Sequence, residues 1–129
     1  MTALTSQTTS AATSPLLVQA VEDLLAGAAM TAPLVGSFVP EREIGARLHD
    51  VSATCALGAV QVGYALRLGL PRRDVEAPDL QREERALRDA YRLRYRSSLI
   101  KDNDRWGRDA VTARCKELVN TLPPADLEA

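Results

Sequence analysis

The sequence predicts an all-α fold, a compact bundle of about four main helices around a central helix rich in small residues. Three observations point there. Ala (20) and Leu (18) dominate the apolar residues, against two Ile and five aromatics; Ala and Leu favour helices, whereas β-branched and aromatic residues favour strands. Apolar residues recur at three- and four-residue spacing. Ser-Pro and Gly-Leu-Pro steps punctuate those runs as helix starts and stops.

The chain has 129 residues, enough for one domain with a modest core. Residues 1–13 are Thr/Ser/Ala-rich and aperiodic, so a disordered tail is expected there. Ser14-Pro15 opens the first helix, Ser as N-cap and Pro at the first helical position. Leu17, Val21, Leu24, Leu25 and Ala28 mark its buried face, and Glu22 and Asp23 its wet side. Gly27 or Thr31-Ala32-Pro33 ends it. Between 33 and 49, Leu34-Val35 and Phe38-Val39 suit a short strand or a packed loop, and Glu41 to Leu48 a short helix.

Asp50, Ser52 or Thr54 starts the second long helix. It is apolar on most sides through Leu68, the pattern of a central buried helix. Gly58 and Gly63 let neighbouring backbones approach, and Gly69-Leu70-Pro71 stops it. Residues 71–78 form a charged linker. Asp79 caps a third helix running to about Ser97, with Leu80, Leu87, Tyr91 and Tyr95 as a narrow apolar stripe. Arg82, Glu83, Glu84, Arg85, Arg88, Asp89, Arg92 and Arg96 occupy its charged side. Lys101 to Arg108 reads as a polar loop. Asp109 caps the last helix, whose buried face is Val111, Cys115, Leu118, Val119 and Leu122. Pro123-Pro124 ends the domain, expected over 14–122, and a short acidic tail occupies 123–129.

Charge is uneven although the net is only −1. Residues 67–116 hold 14 basic and 9 acidic side chains, whereas 117–129 hold three acidic and none basic. Met1 to Ser14 lacks the basic and apolar regions of an export signal, so a soluble, cytoplasmic chain is expected. The uncharged run Val51 to Leu66 is too short for an ordinary membrane span. In that compartment Cys55 and Cys115 are expected as free buried thiols. One His and two distant Cys do not make a zinc site.

Two segments stand out. Cys55-Ala56-Leu57-Gly58-Ala59 begins the central helix, and Asn103-Asp104-x-x-Gly107-Arg108 leads into the last one. In their order the chain resembles a family of small uncharacterised proteins of actinobacteria and their phages. The resemblance covers roughly 15–120 and is specific over about a dozen positions. The chain departs from the family pattern at Asp102, where Trp is usual, and at Asp109, where Thr is usual; Trp106 lies inside the loop instead. The resemblance implies one α-helical domain and no particular chemistry. Its phage members imply an accessory or structural protein that binds a host or virion protein.

The residues offer three constellations. Cys55 near a helix start, with His49 and Asp50 upstream, has the types of an activated nucleophile; a small packing thiol is the simpler reading. Asn103, Asp104 and Asp109 supply hard oxygens, but not at calcium-loop spacing; turn and cap chemistry accounts for them. Arg88, Arg92 and Arg96 form one helical row beside Tyr91, Arg94 and Tyr95. Basic residues among aromatics suit phosphates and bases, while interleaved acids suit a solvated, ion-paired helix.

No P-loop, dinucleotide fingerprint, Gly-x-Ser-x-Gly or HExxH pattern occurs, so no catalytic, metal or cofactor residue is assigned. The expected function is a non-enzymatic protein-interaction protein. Its partner-binding residues are Arg88, Arg92, Arg94, Arg96, Asn103, Asp104, Trp106 and Arg108. Nucleic-acid binding through the Arg-rich 82–96 helix is the alternative. The central helix suits burial in a monomer and in a homo-oligomer equally.

Overall fold

A computed structural model describes residues 14–33, 47–48, 51 and 53–120. The expectations for 1–13, 34–46, His49, Asp50, Ser52 and 121–129 lie outside these residues. The described chain is an all-α bundle of five helices: α1 (Pro15–Met30), α2 (Ala56–Leu68), α3 (Pro78–Tyr95), α4 (Leu99–Trp106) and α5 (Arg108–Asn120). Two residues each from β1 (Ala32–Pro33) and β2 (Ala53–Thr54) pair in parallel, Ala32 with Ala53 and Pro33 with Thr54. No described helix is long and apolar enough to cross a membrane.

The first helix begins as its sequence dictates. Ser14 Oγ accepts from the Leu17 N–H at 3.2 Å, and Pro15 follows. Leu17, Ala20, Val21 and Leu24 are buried. The helix ends at Thr31, whose hydroxyl donates back to the Gly27 carbonyl at 2.8 Å. The second helix starts later than Asp50, Ser52 or Thr54. Cys55 is its N-cap, and Sγ accepts from the Gly58 N–H at 3.4 Å. Every residue from Ala56 to Ala65 is buried, so this helix is the centre of the bundle. Gly69 ends it in the left-handed region, φ +71°.

α1 and α2 cross in close contact. Gly27 lies against the Ala59 backbone and Gly63 against the Asp23 backbone. Those pairs run in opposite senses, so the helices are antiparallel. Asp23 therefore faces inward, not to the wet side. It accepts from Arg67 Nε and Nη2, each at 3.1 Å, and Arg67 Nη2 also donates to Glu83 at 2.8 Å. Glu83 likewise leaves the charged side of α3 and is only 3% exposed. Neither inversion is visible in the periodicity, because the partner Arg67 belongs to another helix.

α3 starts at Pro78 without a side-chain cap; Asp79 lies in its first turn and pairs with Arg82. Leu80, Leu87 and Tyr91 are fully buried and Tyr95 half-buried, as the apolar stripe implies. The helix stops at Arg96, which takes a left-handed conformation (φ +57°), costing a non-glycine residue about 1 kcal/mol. The expected loop over 101–108 is instead α4. Asp102 and Asn103 favour turns because their side chains compete for local backbone groups. Here both point into the core and have tertiary partners, which removes that competition. Gly107, at φ +95°, makes the joint between α4 and α5. Asp109 consequently sits in the first turn of α5, exposed, and is not the cap. Cys115 and Cys55 are both buried and form no disulfide, and burial pushes the Cys115 thiol up to about 12.

Candidate functional site

The arginines divide into those that build the fold and those that face solvent. Arg108 belongs to the first group and is 3% exposed. Its Nη1 donates to Thr31 Oγ1 (2.9 Å), the Ala32 carbonyl (3.0 Å) and Thr54 Oγ1 (3.1 Å). Its Nη2 donates to the Ala28 (3.2 Å) and Thr31 (2.8 Å) carbonyls. One guanidinium thus closes the C-terminal end of α1 and ties it to the strand pair. These acceptors are uncharged, and burial pulls the guanidinium below its ordinary value.

The two segments that stand out in the sequence meet here. Asn103 Oδ1 accepts from the Ala56 N–H at 2.8 Å, satisfying a first-turn donor of α2 beside the Cys55 cap. A narrow cleft bounded by Cys55, Leu57, Leu99, Ile100 and Asp104 lies over this junction. Next to it, Asp102 accepts from Tyr91 Oη (2.7 Å), Ser97 Oγ (2.7 Å) and Arg114 Nη1 (3.1 Å). Burial alone would raise the Asp102 carboxyl; the hydrogen bonds from Ser97 and Tyr91 and the Arg114 charge outweigh it and hold the group low. Burial also raises Tyr91, with its bond to Asp102 acting in the same direction. These groups are a scaffold. Their polar atoms are engaged with one another and with helix ends.

The solvent-facing group is different. Where α3 ends at Arg96 and α4 begins at Ser98, the chain bends into an elbow. A hollow of about 700 Å³ opens there, bordered by Arg92, Leu93, Arg96, Ser97, Ser98 and Lys101, with Asp89 at its edge. Arg88 borders a smaller adjoining hollow that shares Asp89, Arg92 and Ser98. Among the described residues, the side chains of Arg92, Arg96 and Lys101 make no ion pair and no hydrogen bond. Leu93 is 74% exposed in their midst. The elbow therefore joins three cations and an apolar side chain in one concave surface.

The structure brings together Arg88, Arg92 and Arg96 from the expected binding set. Arg94 points elsewhere, its guanidinium 5.6 Å from the Tyr95 ring centre. Trp106 is 61% exposed but borders a separate hollow with Tyr91, Ala110 and Arg114. Asp104 is exposed on α4. Asn103 and Arg108 are interior and offer no surface to a partner; their hydrogen bonds to helix ends explain why. Of the two tyrosines, Tyr91 is withdrawn and Tyr95 is half-buried. Tyr91 is fully buried, and the Tyr95 hydroxyl donates to the Arg114 carbonyl at 3.0 Å. The sequence reading missed Lys101 and Leu93. The adjacent Ser97-Ser98 was the available signal, since a serine N-cap there starts a helix that swings Lys101 toward Arg92 and Arg96.

No family model, no curated protein and no solved structure matches this chain.

Proposed function

We propose that this chain is a small non-enzymatic interaction protein that binds an acidic partner protein at the α3–α4 elbow. One observation carries the reading: three cations whose side chains have no ion-pair or hydrogen-bond partner among the described residues surround an exposed leucine in a concave surface. Interfaces commonly combine such an apolar anchor with arginines and a polar rim. The charge supplies steering and selectivity, and the leucine supplies burial. The resemblance to phage-associated proteins supports a host or virion protein as the partner.

Nucleic acid is the second reading, favoured by the Arg88, Arg92, Arg96 row. It is weakened by the two tyrosines. A single-strand site stacks bases on accessible rings, and here Tyr91 is fully buried while the half-buried Tyr95 ring has the Arg114 guanidinium 4.7 Å from its centre. Asp89 at the edge also opposes a phosphate backbone.

The test is capture from lysate of the source cells on immobilised protein, with and without nuclease, using wild type, Arg92→Glu and Leu93→Asp. We expect a stoichiometric protein that survives nuclease and weakens about tenfold or more with either substitution. Recovery that collapses on nuclease treatment moves the function to nucleic acid. Full retention by both variants removes the elbow from the interface.

A further inference from the structure

We propose that the elbow also binds a segment of this same chain, Asp126-Leu127-Glu128, so that the protein carries an intramolecular competitor for its acidic partner. The inference rests on the elbow reading above and names the chemistry of one occupant. Three facts point to it.

The first is complementarity. The elbow presents Arg92, Arg96 and Lys101 around Leu93. The segment Asp126-Leu127-Glu128 presents a leucine between two carboxylates. No basic residue follows Lys116, so nothing in 117–129 offsets that charge.

The second is position. Arg114 Nη1 meets Tyr91 Oη at 3.2 Å, and the Tyr95 hydroxyl meets Arg114 and Glu117. The contact advances toward the C-terminal end of both helices, so α3 and α5 end on the same side of the molecule. Arg96 is the next residue after α3, and Asn120 is the last residue of α5.

The third is reach. Packed helices have axes about 8–10 Å apart. Six residues from Asn120 to Asp126 span up to about 20 Å when extended. Proline lacks the N–H that a helix needs and its fixed φ suits extended chain, and the sequence holds two at 123 and 124. Leu93 and the hollow lie on the side of α3 turned away from Tyr91 and Tyr95, and hence from α5, so the segment has to round the end of α3, a path of the same order as that length. Tethering at this range gives a millimolar effective concentration, so weak contacts suffice to occupy the site.

A nitroxide on Ala129→Cys tests this directly, because Cys55 and Cys115 are buried and resist labelling. Amide resonances are compared between oxidised and reduced label in the full chain. We expect selective broadening of Arg92, Leu93, Arg96 to Ser98 and Lys101, lost in Arg92→Glu/Arg96→Glu and lost at high salt. Absence of broadening there, or broadening unchanged in the double variant, overturns the proposal. Broadening of an unlabelled isotopic chain mixed with labelled protein also overturns it, since it places the segment on a second copy. An intact amide spectrum of the double variant shows that it folds. No partner is used, so this result stands or falls apart from the capture experiment.

Discussion

Replacing Gly63 by Ala is expected to destabilise the protein by about 3 kcal/mol, even though alanine is the better helix former by about 1 kcal/mol. The cause is the α1–α2 crossing. A Cβ on Gly63 would lie 1.9 Å from the Asp23 carbonyl oxygen and 2.6 Å from its carbon, where real contacts stay beyond 3.0 Å. A Cβ on Gly27 would lie 1.8 Å from the Ala59 carbonyl oxygen. These obstacles are backbone atoms of the facing helix, so no rotamer change relieves them. The helices must separate by about 1 Å, and a gap of that size forfeits a quarter to a half of each dispersion contact across the seam. Leu17, Ala20, Val21 and Leu24 share that seam with Ala56, Ala59 and Val60, so the loss is spread over the largest part of the core. Overpacking of this kind costs typically 1–3 kcal/mol, and a rigid double-backbone contact belongs at or above the top of that range. Urea unfolding of Gly27→Ala, Gly63→Ala and Gly69→Ala measures it. Gly69 is the control: its φ is +71° but nothing lies within 4 Å of its would-be Cβ, so only about 1 kcal/mol of backbone strain is expected. Gly27→Ala/Gly63→Ala should cost less than the two singles together, because one helix displacement relieves both clashes. Gly63→Ala within about 0.5 kcal/mol of wild type, or above it, would refute the close crossing.

Glu83 should make stability pH-dependent. Burial first, and the neighbouring Asp23 carboxylate next, push its carboxyl from 4.5 up to about 8. The folded state then holds a proton the unfolded state has released, so stability falls as pH rises from about 4.5 to 8, by at most about 1.4 kcal/mol per unit. Glu83→Gln should flatten that slope in urea midpoints taken across this range; an unchanged slope speaks against the protonated glutamate. Arg108→Lys should cost about 3 kcal/mol or more, because one ammonium cannot serve two hydroxyls and three carbonyls, and a thermal scan against exposed Arg105→Lys reads it. Tyr91→Phe should cost about 1–2 kcal/mol by removing one of the three donors to Asp102; equal stability of Tyr91→Phe and wild type would count against that network.

The helices were legible from residue order alone wherever the cause is local. Ser14-Pro15 starts α1, Gly69 stops α2, and the Leu80, Leu87, Tyr91 stripe faces the core, because capping, chirality and a period of 3.6 act within a few residues. The small-residue centre of the bundle was legible for the same reason. Asn103 and Arg108 were singled out as chemistry-bearing, but not their role. Only tertiary structure placed Asn103 under the start of α2 and Arg108 at the end of α1, because those orphan backbone groups come from segments 47 and 77 residues away. The same distance effect turned Asp23 and Glu83 inward onto Arg67 and converted a polar loop into α4. The elbow itself is a product of the bend at Arg96. A sequence shows a row of arginines; whether a lysine and a leucine join them in one hollow depends on the direction in which the next helix leaves.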